Sequence, residues 1–155
     1  LLLIQSYGDV ADTIADGLGG SVDTFVSRMN EKIDAMELQK KLSEKYSNIY
    51  LMMVGQSEGE HSIDQELYSW AKSSERVIFT GYTNVVEQYL SCMDVYVLPS
   101  YREGFGISVI EAEAMRVPVI VTDIPGPTDA MVDGKTGIIV EKGNETFKFP
   151  LEFFK

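Results

Sequence analysis

The sequence predicts an α/β fold: a Rossmann-like parallel sheet of about six strands with helices on both faces. Three observations predict it. Over residues 49–140, short apolar runs of strand length alternate with segments whose apolar residues recur at helical spacing. The runs IYLMMV, DVYVLP and PVIVT are apolar almost throughout, as in strands buried on both faces. Finally, the runs end on glycines, prolines or a glycine loop, the punctuation of strand-to-helix turns.

Residues 1–20 stand before the expected sheet. There Val10, Ile14 and Leu18 line a short helix behind Asp9 that Gly19 and Gly20 would end. VDTFVS at 22–27 is the first expected strand, followed by a helix striped by Ala35, Leu38, Leu42 and Tyr46. IYLMMV at 49–54 is the next strand. Ile63, Leu67, Trp70 and Ala71 then recur at helical spacing behind Ser62, with Gln65 placed to close a capping box. RVIFT follows as a strand, and Asn84 with Glu87 opens a short helix whose Val86, Tyr89 and Leu90 share a face. DVYVLP, PVIVT and TGIIVE supply three more strands, with the helical run ISVIEAEAM between the first two. The domain thus runs over 21–145, and the tail 146–155, ending FKFPLEFFK, has the look of an interrupted element.

A chain of 155 residues holds one domain with a real core, burying about two thirds of its unfolded surface. Its net charge of −11 argues against nucleic acid, whose binding relies on many Lys and Arg contacts. The opening LLLI is too short to span a bilayer, and no run approaches the ~20 apolar residues that a spanning helix needs. Cys92 is the only cysteine, which excludes an internal disulfide and suits a reducing cytoplasm. One His and one Cys offer no metal cluster, and His61, in the charged stretch QSEGEH, reads as a solvated imidazole. Trp70 and the methionines fit core packing. There is no internal repeat or low-complexity tract.

The chemistry concentrates where DVYVLPS leads through YREGFG into ISVIEAEAM: strand, glycine loop, helix. Gly104 and Gly106 let the backbone approach a ligand, and the first N–H groups of the helix lack intrahelical partners. Glu103 and Glu111, with seven residues between them, bracket this loop. A carboxylate accepts two hydrogen bonds side by side and so matches neighbouring sugar or ribose hydroxyls. Taken singly, Glu103 is a solvated loop charge and Glu111 a first-turn acid favoured by the helix dipole. Gly55, Gly81 and Pro125–Gly126 follow other strands, and in a parallel sheet the carboxyl ends share one edge, where ligands sit.

Over about residues 49–141 the chain resembles the nucleotide-sugar-binding half of family-4 retaining glycosyltransferases of GT-B fold. The likeness rests on LMMVGQ, FTGY, LPSYREGFG, the spaced Glu pair, PVIVTD, GPTD and DGKTGIIV. It implies the carboxyl-terminal one of two Rossmann-like domains, the acceptor-binding amino-terminal domain being absent from this chain. It implies a UDP-, GDP- or ADP-sugar donor, no required metal or cofactor, and a role in polysaccharide biosynthesis. It also implies a cytoplasmic enzyme, peripheral at the inner face of a membrane only through the absent domain or a lipid-linked acceptor. By the same resemblance, Glu111 holds the ribose hydroxyls. Glu103 stands beside the donor sugar as the catalytic candidate, steadying positive charge at the anomeric carbon. Phe105, Gly106 and Ile107 offer backbone N–H groups to sugar or phosphate.

In such enzymes an Arg and a Lys in the loop after the first strand steady the diphosphate; here the match is Arg28 and Lys32 in FVSRMNEKID. The stretch is shorter than the usual loop and lacks the glycine after the lysine, so these two residues read equally as surface charges at a helix start. Two further departures are Val117, where a glycine often precedes PVI, and Asp129, where a glutamate often follows the GP turn. Two rivals stand beside the donor-domain reading. One is a related GT-B glucan or disaccharide synthase, and the other a non-catalytic nucleotide-binding or scaffolding module of the same fold. A dinucleotide binder is disfavoured, because no G-x-G-x-x-G follows the first strand.

Overall fold

The computed structural model of the chain describes residues 2–5, 35–55, 65–101 and 103–141. Among these, six strands form one sheet: β1 (Leu2–Gln5), β2 (Leu51–Val54), β3 (Val77–Gly81), β4 (Val95–Leu98), β5 (Val119–Thr122) and β6 (Gly137–Val140). The helices are α1 over residues 35–45, α2 (Gln65–Ser73), α3 (Val86–Leu90) and α4 (Ile107–Ala114). The strand order is β3-β2-β1-β4-β5-β6, and every pairing is parallel. The expected α/β sheet with helices therefore forms. Its central position belongs to Leu2–Gln5, which pairs with β2 on one side and β4 on the other, so the sheet draws on the segment before residue 21. The strand expected at 22–27 and the helix expected around Val10 lie outside the described residues, as do Ser62 and His61.

Two apolar layers form on the two sides of the sheet, because alternate residues of a strand face opposite ways. Val95 and Val97 of β4 and Ile120 of β5 join Leu51 and Met53 in the layer that holds Ala35, Met36, Leu38 and Leu42 of α1 and Leu67 and Ala71 of α2. Tyr96 and Leu98 of β4, with Val119 and Val121 of β5, enter the other layer with Val86 and Leu90 of α3 and Val109 and Ala112 of α4. All residues of β4 and β5 are buried, which is why these strands read as continuous apolar runs. The predicted stripes of α1 and α2 are the faces that pack: Leu38, Leu42, Leu67 and Ala71 are buried, with Tyr46 and Trp70 half-buried against them.

The ends of the helices show how the layers are closed. In the loop before β3, Arg76 donates its guanidinium Nη1 to the carbonyls of Tyr46 (2.9 Å) and Ser43 (3.4 Å) at the end of α1, where carbonyls lack intrahelical partners. Gln39 of α1, fully buried, donates Nε2 to the Ile49 carbonyl at 2.9 Å and so fastens the helix to the chain entering β2. The expected capping of α3 by Asn84 does not form: its N-cap is Val85, which makes no side-chain cap bond. The helix starts one residue later, and Thr83 Oγ1 accepts the Val85 N–H at 3.1 Å in a tight local turn just before it.

α4 ends in a Schellman motif. The Arg116 N–H reaches the Glu113 carbonyl at 2.9 Å and the Val117 N–H the Ala112 carbonyl at 2.9 Å, while Arg116 takes φ 61°. The position that favours glycine is therefore Arg116. Val117 is buried against the second layer, so its departure from the family pattern is one of packing.

Candidate functional site

The strand order reverses direction between β1 and β4. From β1 the chain proceeds outward through β2 and β3, and from β4 it proceeds the other way through β5 and β6. The crevice outside the carboxyl ends of two such strands is where parallel α/β sheets hold ligands. The Glu103 loop leaves β4 at that crevice.

β4 carries the chain to Leu98, where its ladder with β5 ends at the pair Leu98 and Val121. One residue on, the buried hydroxyl of Thr122 donates to the carbonyl of buried Ser100. The loop then turns through Glu103, Gly104 and Phe105, all exposed, to Gly106, which is buried at the start of α4. Gly106 is the N-cap of α4 with φ 74°, a left-handed conformation that a side chain resists, and a Cβ there would meet Pro127 Cα at 3.2 Å. Its carbonyl accepts the Val109 N–H at 2.9 Å, starting the helix without any side-chain cap.

The turn after β5 forms the other wall. Gly126, φ 97°, abuts the carbonyl of Gly104, so the two loops touch backbone to backbone. Asp129 Oδ2 accepts the Gly126 N–H at 3.3 Å and the Thr128 hydroxyl donates to the Ile124 carbonyl at 2.9 Å, which closes the turn on itself. The shorter acid at 129 thus serves its own turn. The first turn of α4 is tied to the sheet as well: the hydroxyl of Tyr96, a fully buried residue of β4, donates to Ser108 Oγ at 2.7 Å.

Glu111 lies on α4 one turn in, half-buried with its Oε2 enclosed. The first turn of α4 holds no acid, so attraction to the helix dipole does not account for Glu111. Glu103 and Glu111 therefore flank one glycine-capped helix start, Glu103 on the loop and Glu111 on the helix. Phe105 and Ile107, exposed by 53% and 63%, place their backbone beside it.

Gly55 and Gly81 come together at the ends of β2 and β3, where the Gly55 N–H donates to the Gly81 carbonyl at 3.1 Å. They share the carboxyl edge with Glu103 but lie on the far side of β1, two and three strands from β4, or about 10 and 14 Å at sheet spacing. Arg28 and Lys32 lie outside the described residues. Thr122, Ser100 and the Tyr96–Ser108 pair escaped the sequence reading. The signal for Thr122 is a hydroxyl in the otherwise apolar strand PVIVT, since a buried hydroxyl requires a partner. Among the described residues, no three His, Cys, Asp or Glu side chains gather as a metal-holding group, and no helix is long and apolar enough to cross a membrane.

A six-stranded parallel sheet in this order, with a glycine loop and helix start at its reversal point, is a Rossmann-like fold of the kind found in GT-B glycosyltransferases. The chain belongs to the family described as Glycosyl transferases group 1, which it matches over residues 21–148. It is 39% identical over 105 residues to CapM, a capsular polysaccharide biosynthesis glycosyltransferase of Staphylococcus aureus, a match that covers 68% of this chain and 28% of CapM. The fold is similar to that of TarM of S. aureus, with TM-score 0.64 and 23% identity over 92% of this chain and 25% of TarM. It is also similar to that of HepE of Anabaena in complex with UDP, with TM-score 0.61 and 18% identity over 90% of this chain and 40% of HepE. The chain thus spans well under half the length of these relatives.

Proposed function

We propose that this chain is the donor-binding, carboxyl-terminal half of a family-4-like retaining glycosyltransferase that takes a nucleoside-diphosphate sugar. The observation that carries the reading is the position of the Glu103 loop and Glu111 at the carboxyl end of β4, the strand beside which the sheet order reverses. Membership of the Glycosyl transferases group 1 family and the likeness to a fold seen with UDP support it.

In this reading the ribose hydroxyls pair with the Glu111 carboxylate, and the sugar lies over the loop beside Glu103. The exposed helix start supplies N–H groups from Phe105, Gly106 and Ile107 to the sugar or diphosphate. Glu103 steadies positive charge at the anomeric carbon as the bond to the diphosphate breaks, and Arg28 and Lys32 steady the leaving group. That cationic help is needed because negative charge builds on the diphosphate as the bond breaks. The acceptor and the opposite wall of the cleft come from an amino-terminal domain, and no metal is needed. The product is a saccharide of a surface polysaccharide, with membrane contact made through that other domain or a lipid-linked acceptor.

The test is a calorimetric titration with UDP, GDP and ADP, each with and without Mg²⁺, repeated on Glu111→Ala. The expected outcome is metal-independent binding of one nucleotide. The variant should lose about 1.5–3 kcal/mol of it, tenfold or more in affinity, with the fold unchanged. No heat with any nucleotide, from folded protein, would favour the scaffold reading.

A further inference from the structure

We infer that Thr122 is a positioning residue for the Glu103 loop: its hydroxyl, donated from the end of β5 to the Ser100 carbonyl, fixes where the chain leaves β4 and hence where Glu103 stands. The inference rests on the donor-site reading given above.

The β4–β5 ladder stops at the pair Leu98 and Val121, just before the chain enters the loop that carries Glu103. Two neighbouring chains diverge at such a point unless a side chain bridges them. Thr122 is the bridge, and it stands on a rigid base. Its own backbone pairs with Val140 of β6, and the Asp123 N–H holds the Val140 carbonyl at 2.9 Å. Branching at Cβ restricts χ1, so the hydroxyl has little freedom to turn elsewhere.

Ser100 and Thr122 are exposed by 0% and 2%, so water does not compete for the bond. Four residues beyond Ser100, the carbonyl of Gly104 is stopped by Gly126. The span that carries Glu103 is therefore pinned at both ends against the β5 side, by a hydroxyl at Ser100 and by backbone contact at Gly104. Glu111 is held independently, on α4. Loosening the Ser100 end should thus disturb the sugar end of the donor more than the nucleotide end.

The experiment compares Thr122→Val, which keeps the shape and loses the hydroxyl, with Thr122→Ser, which keeps the hydroxyl. The protein used is the longest native chain that carries residues 1–155. In Thr122→Val, amide hydrogen exchange over residues 100–106 should quicken. Turnover of the nucleotide sugar should fall by about tenfold or more, while affinity for the free nucleotide stays within about twofold. Thr122→Ser should restore both exchange and turnover. If valine is not accommodated, Thr122→Ala gives the same comparison.

Unchanged exchange and turnover in folded Thr122→Val would overturn the inference, as would equal losses in the valine and serine variants, which would assign the role to packing of the methyl group. A wild-type protein that binds no nucleotide would overturn the donor reading, and the exchange comparison alone would then decide whether Thr122 holds the loop.

Discussion

Gly126 lies so close to the carbonyl of Gly104 that no side chain fits between them. A Cβ on Gly126 would overlap the Gly104 oxygen, approach its carbonyl carbon to 3.0 Å and meet Phe105 Cα at 3.4 Å. The loop bearing Glu103 is thus backed by the turn that follows β5, and the two behave as one wall.

This contact separates two glycines that look alike in sequence. Gly126→Ala must accept both the overlap and φ 97°, and should cost at least about 2 kcal/mol of stability or displace the Glu103 loop. A Cβ on Gly104 meets nothing within 4 Å, and its φ lies outside the left-handed region. Gly104→Ala should therefore leave stability unchanged or raised by a few tenths of a kcal/mol. Loss of nucleotide-sugar affinity in that variant would then report close approach of the ligand itself. Urea unfolding and donor titration on both variants make the check, and equal destabilisation of the two would contradict it.

Arg116 closes the Schellman motif at the end of α4 with φ 61°, where a Cβ is strained. Arg116→Gly should stabilise the protein by about 0.5–1 kcal/mol, the relief of that strain less the greater chain entropy of glycine. A domain of this size would gain roughly 2–4 °C in Tm per kcal/mol. The side chain is exposed and remote from the β4 loop in sequence, so donor affinity should not change. A thermal melt that moves downward would show that the guanidinium contributes more than the backbone strain takes away.

The parts of this fold that are legible in sequence are those whose cause is local. β4 and β5 announce themselves because burial on both faces demands an unbroken apolar run, and the stripes of α1 and α2 because one helix face packs. The Glu103–Glu111 pair is legible because loop and helix start are contiguous. Leu2–Gln5 is not, since four residues show no period and their place at the centre of the sheet is set by pairing with strands some fifty and ninety residues on. Thr122 is likewise silent, as its meaning lies in a carbonyl twenty-two residues away. Gln39 looks like a surface residue until the Ile49 carbonyl is seen beside it. At α3 even local grammar misleads: Asn84 and Glu87 match a capping box, yet the helix takes Val85 as its N-cap, with no side-chain cap bond.

The hydrogen bond between Tyr96 and Ser108 joins β4 to the first turn of α4, and the two ends are unequal. Tyr96 is fully buried while Ser108 is half-buried. Ser108→Ala and Tyr96→Phe each remove one partner of this bond, and each should cost about 0.5–1.5 kcal/mol. The double variant should cost less than the sum of the two, because the second substitution removes a partner already lost to the bond. Glu111 rides on the same helix, so the order of nucleotide affinities should follow the order of stabilities if this bond sets the seat of α4. A double-mutant cycle run on both quantities decides it: strictly additive single effects would mean that the two hydroxyls do not act on each other, and that α4 is seated by Val109 and Ala112 alone.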